Sequence, residues 1–184
     1  MRKRSTKILL RFNNENTVNL KSLRFNLKIS FYLIIMEKLH TLLLHHNLSI
    51  SIVESCTGGM LGSYLSNIPG SSKYFMGGII AYNAIVKNRI LNIPSHIEYV
   101  SEKCVVSMNK GLKKLIKSDI QVSVSGYLGP KASNPELLGI VFYSISFLEN
   151  DHVFKLKIGN MERPTSKEFI VSNILYNLYE IINI

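Results

Sequence analysis

Cysteine is scarce in this chain: Cys56 and Cys104 are the only two in 184 residues, and neither sits in a metal-ligand or framework spacing. That excludes a disulfide-stapled secreted scaffold and a cysteine-built metal centre, and it fits a reducing, cytoplasmic setting. Charged residues are also few, at 18%, against 46% apolar residues, which excludes a disordered chain. The apolar run Phe31–Ile35 is too short to span a membrane, and no small-residue cleavage site follows it. There is no internal repeat and no low-complexity tract. The length predicts one domain with a sizeable core.

Acidic residues are the minority charge, 12 against 22 Lys and Arg, for a net charge of +10. The excess is local. Residues 1–35 hold eight basic residues and one acid, so seven of the ten net charges belong to them. From Met36 onward the balance is ordinary, which argues against a nucleic-acid-binding body. Residues 1–35 therefore read as a basic N-terminal extension outside the core, and residues 36–184 as the domain. The amphipathic pattern begins cleanly at Met36, so Met36 is the expected natural start, with the extension as translated upstream sequence. A basic arm touching RNA or lipid, an added structural element and a targeting peptide are the alternatives.

Leu39, Leu42, Leu43 and His46 recur at helical spacing from Met36. Leu48–Glu54 then reads as a buried strand, Gly58–Ser66 as a helix, Phe75–Tyr82 as a strand and Asn83–Leu91 as a short helix. Ser101-Glu102-Lys103 opens a helix with Cys104, Met108, Leu112, Leu115 and Ile116 as its apolar stripe. Ile120–Ser125 alternates as a strand. Gly139–Phe147 and His152–Ile158 read as a hairpin. A loop over 159–166 precedes a final helix, Ser166–Ile182, with Ile170, Ile174, Leu178 and Ile182 inward. Interleaved strands and helices predict an α/β fold, a three-layer α/β/α sandwich with a mixed, mostly parallel sheet. Ligands of such sheets sit beyond the carboxyl ends of strands, here at Ser55, at Tyr82-Asn83 and at Ser125-Gly126.

The richest stretch is Ile52-Val53-Glu54-Ser55-Cys56-Thr57-Gly58-Gly59. A strand that delivers a serine to a helix start places Ser55 beside unpaired backbone N–H groups, suited to an oxyanion or a phosphate. Serine needs a base. None of the five histidines (His40, His45, His46, His96, His152) has a local acidic context that marks a triad. Lysine can serve when burial lowers its pKa, and Lys87 lies one helical turn past Tyr82, at a strand end expected beside Ser55. Cys56 with Glu54 and Lys87 supplies the residue types of a nitrilase-like amidase, although Ser55 and Cys56 cannot both face one side of a turn.

Glu54-Ser55-Cys56-Thr57-Gly58-Gly59, Pro69-Gly70-Ser71-Ser72, Gly78-Ile79-Ile80-Ala81-Tyr82-Asn83 leading to Lys87, Val100-Ser101-Glu102, and Ser125-Gly126 with Gly129-Pro130 occur in that order. This ordered set resembles the CinA C-terminal-domain family over about residues 36–182. Stand-alone members of that family are nicotinamide-mononucleotide amidohydrolases (PncC). The resemblance implies a serine amidohydrolase with a small-molecule nucleotide substrate, no cofactor, no metal, no nucleic-acid partner and a homodimeric state. Ser55 would be the nucleophile, Lys87 the general base, and Tyr82 a proton relay or positioning hydroxyl. Thr57, Gly58 and Gly59, following the nucleophile, would bind substrate and supply oxyanion donors. Ser125 and Gly126 would line the pocket. Arg163 keeps the family's distance to the last helix, and it would recognise the phosphate or the carboxamide.

The chain departs from the family pattern in three places. The loop before Val100-Ser101 is shortened. Lys131-Ala132-Ser133-Asn134-Pro135-Glu136-Leu137-Leu138 replaces a glycine-rich stretch with a Lys-Pro pair. Gly159-Asn160-Met161-Glu162-Arg163 has lost an Asp and gained residues. The last two changes lie near the inferred substrate site, so a catalytically impaired nucleotide-binding or regulatory domain is the alternative function.

Overall fold

The computed structural model describes residues 20–159 and 161–183. Its strands are β1 (Ile50–Glu54), β2 (Phe75–Ile80), β3 (Ile120–Gly126), β4 (Ile140–Phe147) and β5 (Asn150–Lys157). Its α-helices are α1 (Leu20–His45), α2 (Met60–Ser66), α3 (Ala84–Arg89), α4 (Glu102–Leu115) and α5 (Arg163–Ile182). The strands form one sheet in the order β2-β1-β3-β4-β5. β1 pairs in parallel with β2 and β3, whereas β3–β4 and β4–β5 are antiparallel. Only β4 therefore runs against the others, so the sheet is mixed and mostly parallel, as expected.

Helices cover both faces. Ile52 of β1 and Ile120, Val122 and Val124 of β3 join α1, α2 and α5 in one core, while Val53 faces the core built on α4 and the segment after α3. β1 is buried at every position, the pattern of a central strand covered on both sides. Polar β3 residues face α4 and find backbone partners. Ser123 Oγ donates to Val105 O at 2.6 Å, and Ser125 Oγ donates to Tyr99 O at 2.7 Å. Buried hydroxyls of this kind persist because they are hydrogen-bonded.

Three expected helix boundaries and one inward residue are corrected. α1 does not begin at Met36 but runs from Leu20, because no proline or glycine interrupts 20–45. Tyr32 and Ile35, assigned to the extension, are buried, and the Tyr32 hydroxyl bonds to Ser172 Oγ and to the Glu168 carbonyl of α5. The packed unit thus reaches back at least to Tyr32. Residues 1–19 lie outside the described residues. α2 begins at Met60 rather than Gly58, because Gly58 and Gly59 adopt left-handed φ of 63° and 97°. α5 begins at Arg163 rather than Ser166, with Pro164 in its first turn, where a missing N–H costs nothing. Leu115, placed in the α4 stripe, is the last helical residue and 54% exposed. Cys104, Met108 and Leu112 are fully buried as expected, whereas Ile116 is the extended C-cap, just beyond the helix. Among the described residues, no helix is long and apolar enough to cross a membrane.

Candidate active site

The site is assembled by the carboxyl ends of three parallel strands. Ser55 N–H donates to Val124 O at 3.0 Å, and Ala81 N–H to Glu54 O at 2.7 Å, so the ladder holds Ser55, Ala81 and Ser125 side by side. Ser55 is 7% exposed. The Asn83 side chain caps α3, accepting from Ile85 N–H at 2.9 Å, and that cap sets the helix that carries Lys87.

Lys87 reaches Ser55. Its Nζ lies 3.1 Å from Ser55 Oγ and donates to Ala81 O at 2.6 Å, and it sits 5.6 Å from the centre of the Tyr99 ring. The residue is only 3% exposed. Burial disfavours the ammonium and lowers the Lys87 pKa, while the nearby Cys104 and Cys56 act weakly the other way. No carboxylate forms an ion pair with Lys87 among the described residues.

The backbone beyond Ser55 differs from expectation. The buried Glu54 carboxylate turns beneath the start of α2 and accepts from Gly59 N–H at 3.0 Å, Leu61 N–H at 3.1 Å and Gly62 N–H at 2.8 Å. The donors expected to await an oxyanion or phosphate there are consumed internally, as an anion at a helix start favours. Gly58 N–H is likewise taken, by Ser55 O at 3.2 Å. The Cys56 and Thr57 N–H groups have no oxygen acceptor among the described residues. Of those two residues, Cys56 lines the cavity over Ser55 and Thr57 does not. The Thr57 hydroxyl is buried and has no hydrogen-bond partner among the described residues.

The surroundings of both thiols disfavour the thiolate. Burial pushes the Cys56 pKa up to about 12 and the Cys104 pKa up to about 11. Burial thus disfavours a thiolate at Cys56, which also borders the cavity. Glu54, needed as the acid of a nitrilase-like trio, is committed to the α2 amides.

A cavity of about 300 Å³ opens over Ser55 and Lys87. Tyr82, Tyr99, Ser125, Gly126, Lys131 and Arg163 also line it, whereas among the described residues no histidine and no carboxylate does. Thr57, Gly58 and Gly59, expected to bind substrate, do not line it. Tyr82, expected as a relay or positioning hydroxyl, is 58% exposed, and its hydroxyl accepts from Arg163 Nη2 at 2.6 Å. Arg163 Nη1 also donates to Gly129 O at 2.8 Å, which ties the first turn of α5 to the turn after β3. Ser125 spends its proton on Tyr99 O. A Cβ at Gly126 would fall 2.6 Å from Val141 Cγ2, so glycine is required there by the close approach of β4. Asn160 lies outside the described residues.

Sequence reasoning missed Tyr99 and Lys131. Tyr99 borders the recognisable Val100-Ser101-Glu102 stretch, but nothing in its spacing says that its carbonyl and ring meet Ser125 and Lys87. Lys131 lies in a stretch with no periodicity. Among the described residues, no group of three His, Cys, Asp or Glu side chains could hold a metal ion.

The chain is similar to known proteins in both sequence and structure. The chain is 47% identical over 103 residues to a CinA-like protein of Pseudothermotoga lettingae, covering 53% of this chain and 25% of that protein. It is 44% identical over 110 residues to one of Thermotoga maritima, covering 57% and 26%. The chain thus spans about a quarter of the length of these relatives. A crystal structure of the competence or damage-inducible protein from Enterobacter asburiae superposes with a TM-score of 0.76 at 23% identity, covering 80% of this chain and 96% of that one. The competence/damage inducible protein CihA from Agrobacterium tumefaciens superposes with a TM-score of 0.77 at 23% identity, covering 84% and 96%. These likenesses establish the fold. The CinA C-terminal domain profile matches residues 34–182, most of the chain, and the protein belongs to the CinA C-terminal domain family.

Proposed function

We propose that this domain is a serine amidohydrolase that converts nicotinamide mononucleotide to nicotinate mononucleotide and ammonia, a step of pyridine-nucleotide recycling. The observation that carries the reading is the buried contact of 3.1 Å between Lys87 Nζ and Ser55 Oγ. A lysine with no carboxylate partner and a depressed pKa is a base held ready for a hydroxyl. As a neutral amine, it keeps one N–H for Ala81 O and turns its lone pair to the serine proton.

The steps follow from these groups. Lys87 takes the proton as Ser55 Oγ attacks the carboxamide carbon. The Cys56 N–H group, next to Ser55 on the cavity wall, would meet the tetrahedral oxyanion. The protonated Lys87 then gives its proton to the departing nitrogen, and ammonia leaves an acyl-serine. Water, deprotonated by the same lysine, releases the carboxylate and restores Ser55. The nucleotide comes from the family resemblance, and the cation-lined, carboxylate-free cavity supports an anionic substrate of that class. Tyr82 and Arg163, tied to each other at the rim, act on binding rather than on proton transfer.

The test is chromatographic identification of nicotinate mononucleotide together with ammonia. Wild type should form both, and Lys87→Met should form them at least about two orders of magnitude more slowly, the usual scale for a general base. Absence of both products from wild type refutes the reading. The altered stretch Lys131–Leu138 favours one competitor, a nucleotide-binding regulatory domain. That competitor would give a calorimetric binding signal for the nucleotide without product.

A further inference from the structure

A lysine ammonium has three N–H donors. At Lys87 two of them meet Ser55 Oγ and Ala81 O, and among the described residues no oxygen takes the third. The nitrogen lies over the Tyr99 ring, 5.6 Å from its centre. That ring is held from two sides. Its hydroxyl donates to Asn88 Oδ1 at 2.8 Å, on α3 beside Lys87, and its carbonyl accepts from Ser125 Oγ at the end of β3. The nearby carboxylates are engaged elsewhere: Glu54 accepts from the α2 amides, and Glu98 Oε1 accepts from Val100 N–H at 3.2 Å. The other titratable or charged groups about the lysine are Cys56, Cys104 of α4, and Tyr82, Lys131 and Arg163 on the cavity wall. With pKa values of about 12 and 11, the two thiols stay protonated through the range in which Lys87 titrates. Lys131 and Arg163 are cations, and the Tyr82 hydroxyl is bonded to Arg163. The face of the Tyr99 ring, negative by its quadrupole, is thus placed to favour a charged Lys87.

We propose that Tyr99 is a positioning residue for the base: its ring face steadies the Lys87 ammonium that forms as Ser55 gives up its proton. The role rests on the amidohydrolase reading for the origin of that proton, whereas the ring–ammonium contact stands on the geometry. In the attack, the proton passes from Ser55 Oγ to the Lys87 lone pair, and a full charge appears at a buried nitrogen. Burial alone favours its return to the serine before the carboxamide nitrogen leaves. A carboxylate partner would hold the proton, but it would also keep the lysine an ammonium and remove the base. An aromatic face attracts the cation without a formal charge, so it gives a weaker and intermediate hold. Lys87 can then act as a neutral amine and still carry the proton to the departing nitrogen.

The experiment titrates Lys87 directly, by NMR of protein carrying isotope-labelled lysine, with the Lys87 signal assigned by its loss in Lys87→Met. Tyr99→Phe keeps the ring and removes the titratable hydroxyl. Tyr99→Leu removes the ring, and a ring-fluorinated phenylalanine at position 99 keeps the shape but cancels the negative face. In the last two proteins the Lys87 midpoint should fall by about 0.5 to 1.5 pH units, the scale of a partly desolvated cation–π contact. Tyr99→Phe should titrate with wild type. On the high-pH plateau, kcat for nicotinamide mononucleotide should drop about 3- to 30-fold in Tyr99→Leu. A midpoint that does not move in Tyr99→Leu, or that rises because the ring only shields Lys87 from water, overturns the inference. A loss confined to KM overturns it as well. Should Tyr99→Leu fail to fold, the fluorinated protein is compared with Tyr99→Phe, and equal midpoints there overturn it. The titrations need no turnover: if wild type forms no product, the amidohydrolase reading fails, and the midpoints still decide the ring–ammonium contact.

Discussion

Replacing Glu54 by glutamine tests how the nucleophile is held. The side chain keeps its volume, so packing is unchanged and only the hydrogen bonds differ. In the native site, Oε2 accepts from Gly59 and Leu61 and Oε1 from Gly62. A glutamine oxygen can take the place of Oε2, but its NH2 then faces the Gly62 N–H, donor against donor. One charge-assisted bond is lost, worth about 1.5–3 kcal/mol, and the two that remain lose their ionic component. A cost of about 2–4 kcal/mol follows, because Glu54 is fully buried and water cannot substitute. For a chain of this size, each kcal/mol shifts Tm by about 2–4 °C, so thermal melts at neutral pH should show a fall of about 5–15 °C. Amide hydrolysis should fall about ten- to a hundredfold below the melting range, since the residue next to Ser55 sets its position. A Glu54→Gln protein that melts with wild type would refute the assignment of Glu54 as the internal cap of α2.

The lowered Lys87 pKa has a defined pH signature. Below the folded-state pKa, the full cost of burying the ammonium is present. That cost fades as pH rises and is gone above the ordinary lysine value of 10.5. Urea midpoints should therefore rise with pH across that window in wild type and lose this rise in Lys87→Met, and kcat/KM should climb through the same depressed pKa. Buried thiols with pKa values of about 12 and 11 should not react with Ellman's reagent at about pH 8 in the native protein, whereas both should react after denaturation. A chain begun at Met36 loses the Tyr32 ring stacked 4.6 Å from that of Tyr64, its bonds to α5, and the buried Ile35. Core truncations cost about 2–5 kcal/mol each, so its Tm should drop by roughly 10 °C or more, and an unchanged melt would contradict the packing.

Much of this architecture is legible in the sequence, for physical reasons. The alternation in β3, the apolar run that opens β4 and the 3.6-residue stripes of α4 and α5 are the direct imprint of the sheet and the helices packed on it. The Ser55–Lys87 contact is legible because parallel neighbours place their carboxyl ends together. Hidden features depend on side chains that turn back on the protein. A glutamate before a serine reads as chemistry, and only the fold shows it accepting three amides. Gly58-Gly59 reads as a helix start, whereas two left-handed residues delay the helix to Met60. Tyr82 lines the cavity as its place in sequence suggests, and only the fold shows its hydroxyl bonded to Arg163. The reach of α1 back beyond Met36 is obscured because apolar residues there are not confined to one face.

The central claim is that Ser55, and not its neighbour Cys56, attacks the amide with Lys87 as base. Ammonia release from nicotinamide mononucleotide by wild type, Ser55→Ala and Cys56→Ala, measured side by side, tests it most directly. The account predicts turnover by wild type, retention of most of it by Cys56→Ala, and a loss of at least about two orders of magnitude in Ser55→Ala. Turnover that survives Ser55→Ala and disappears with Cys56→Ala would contradict it.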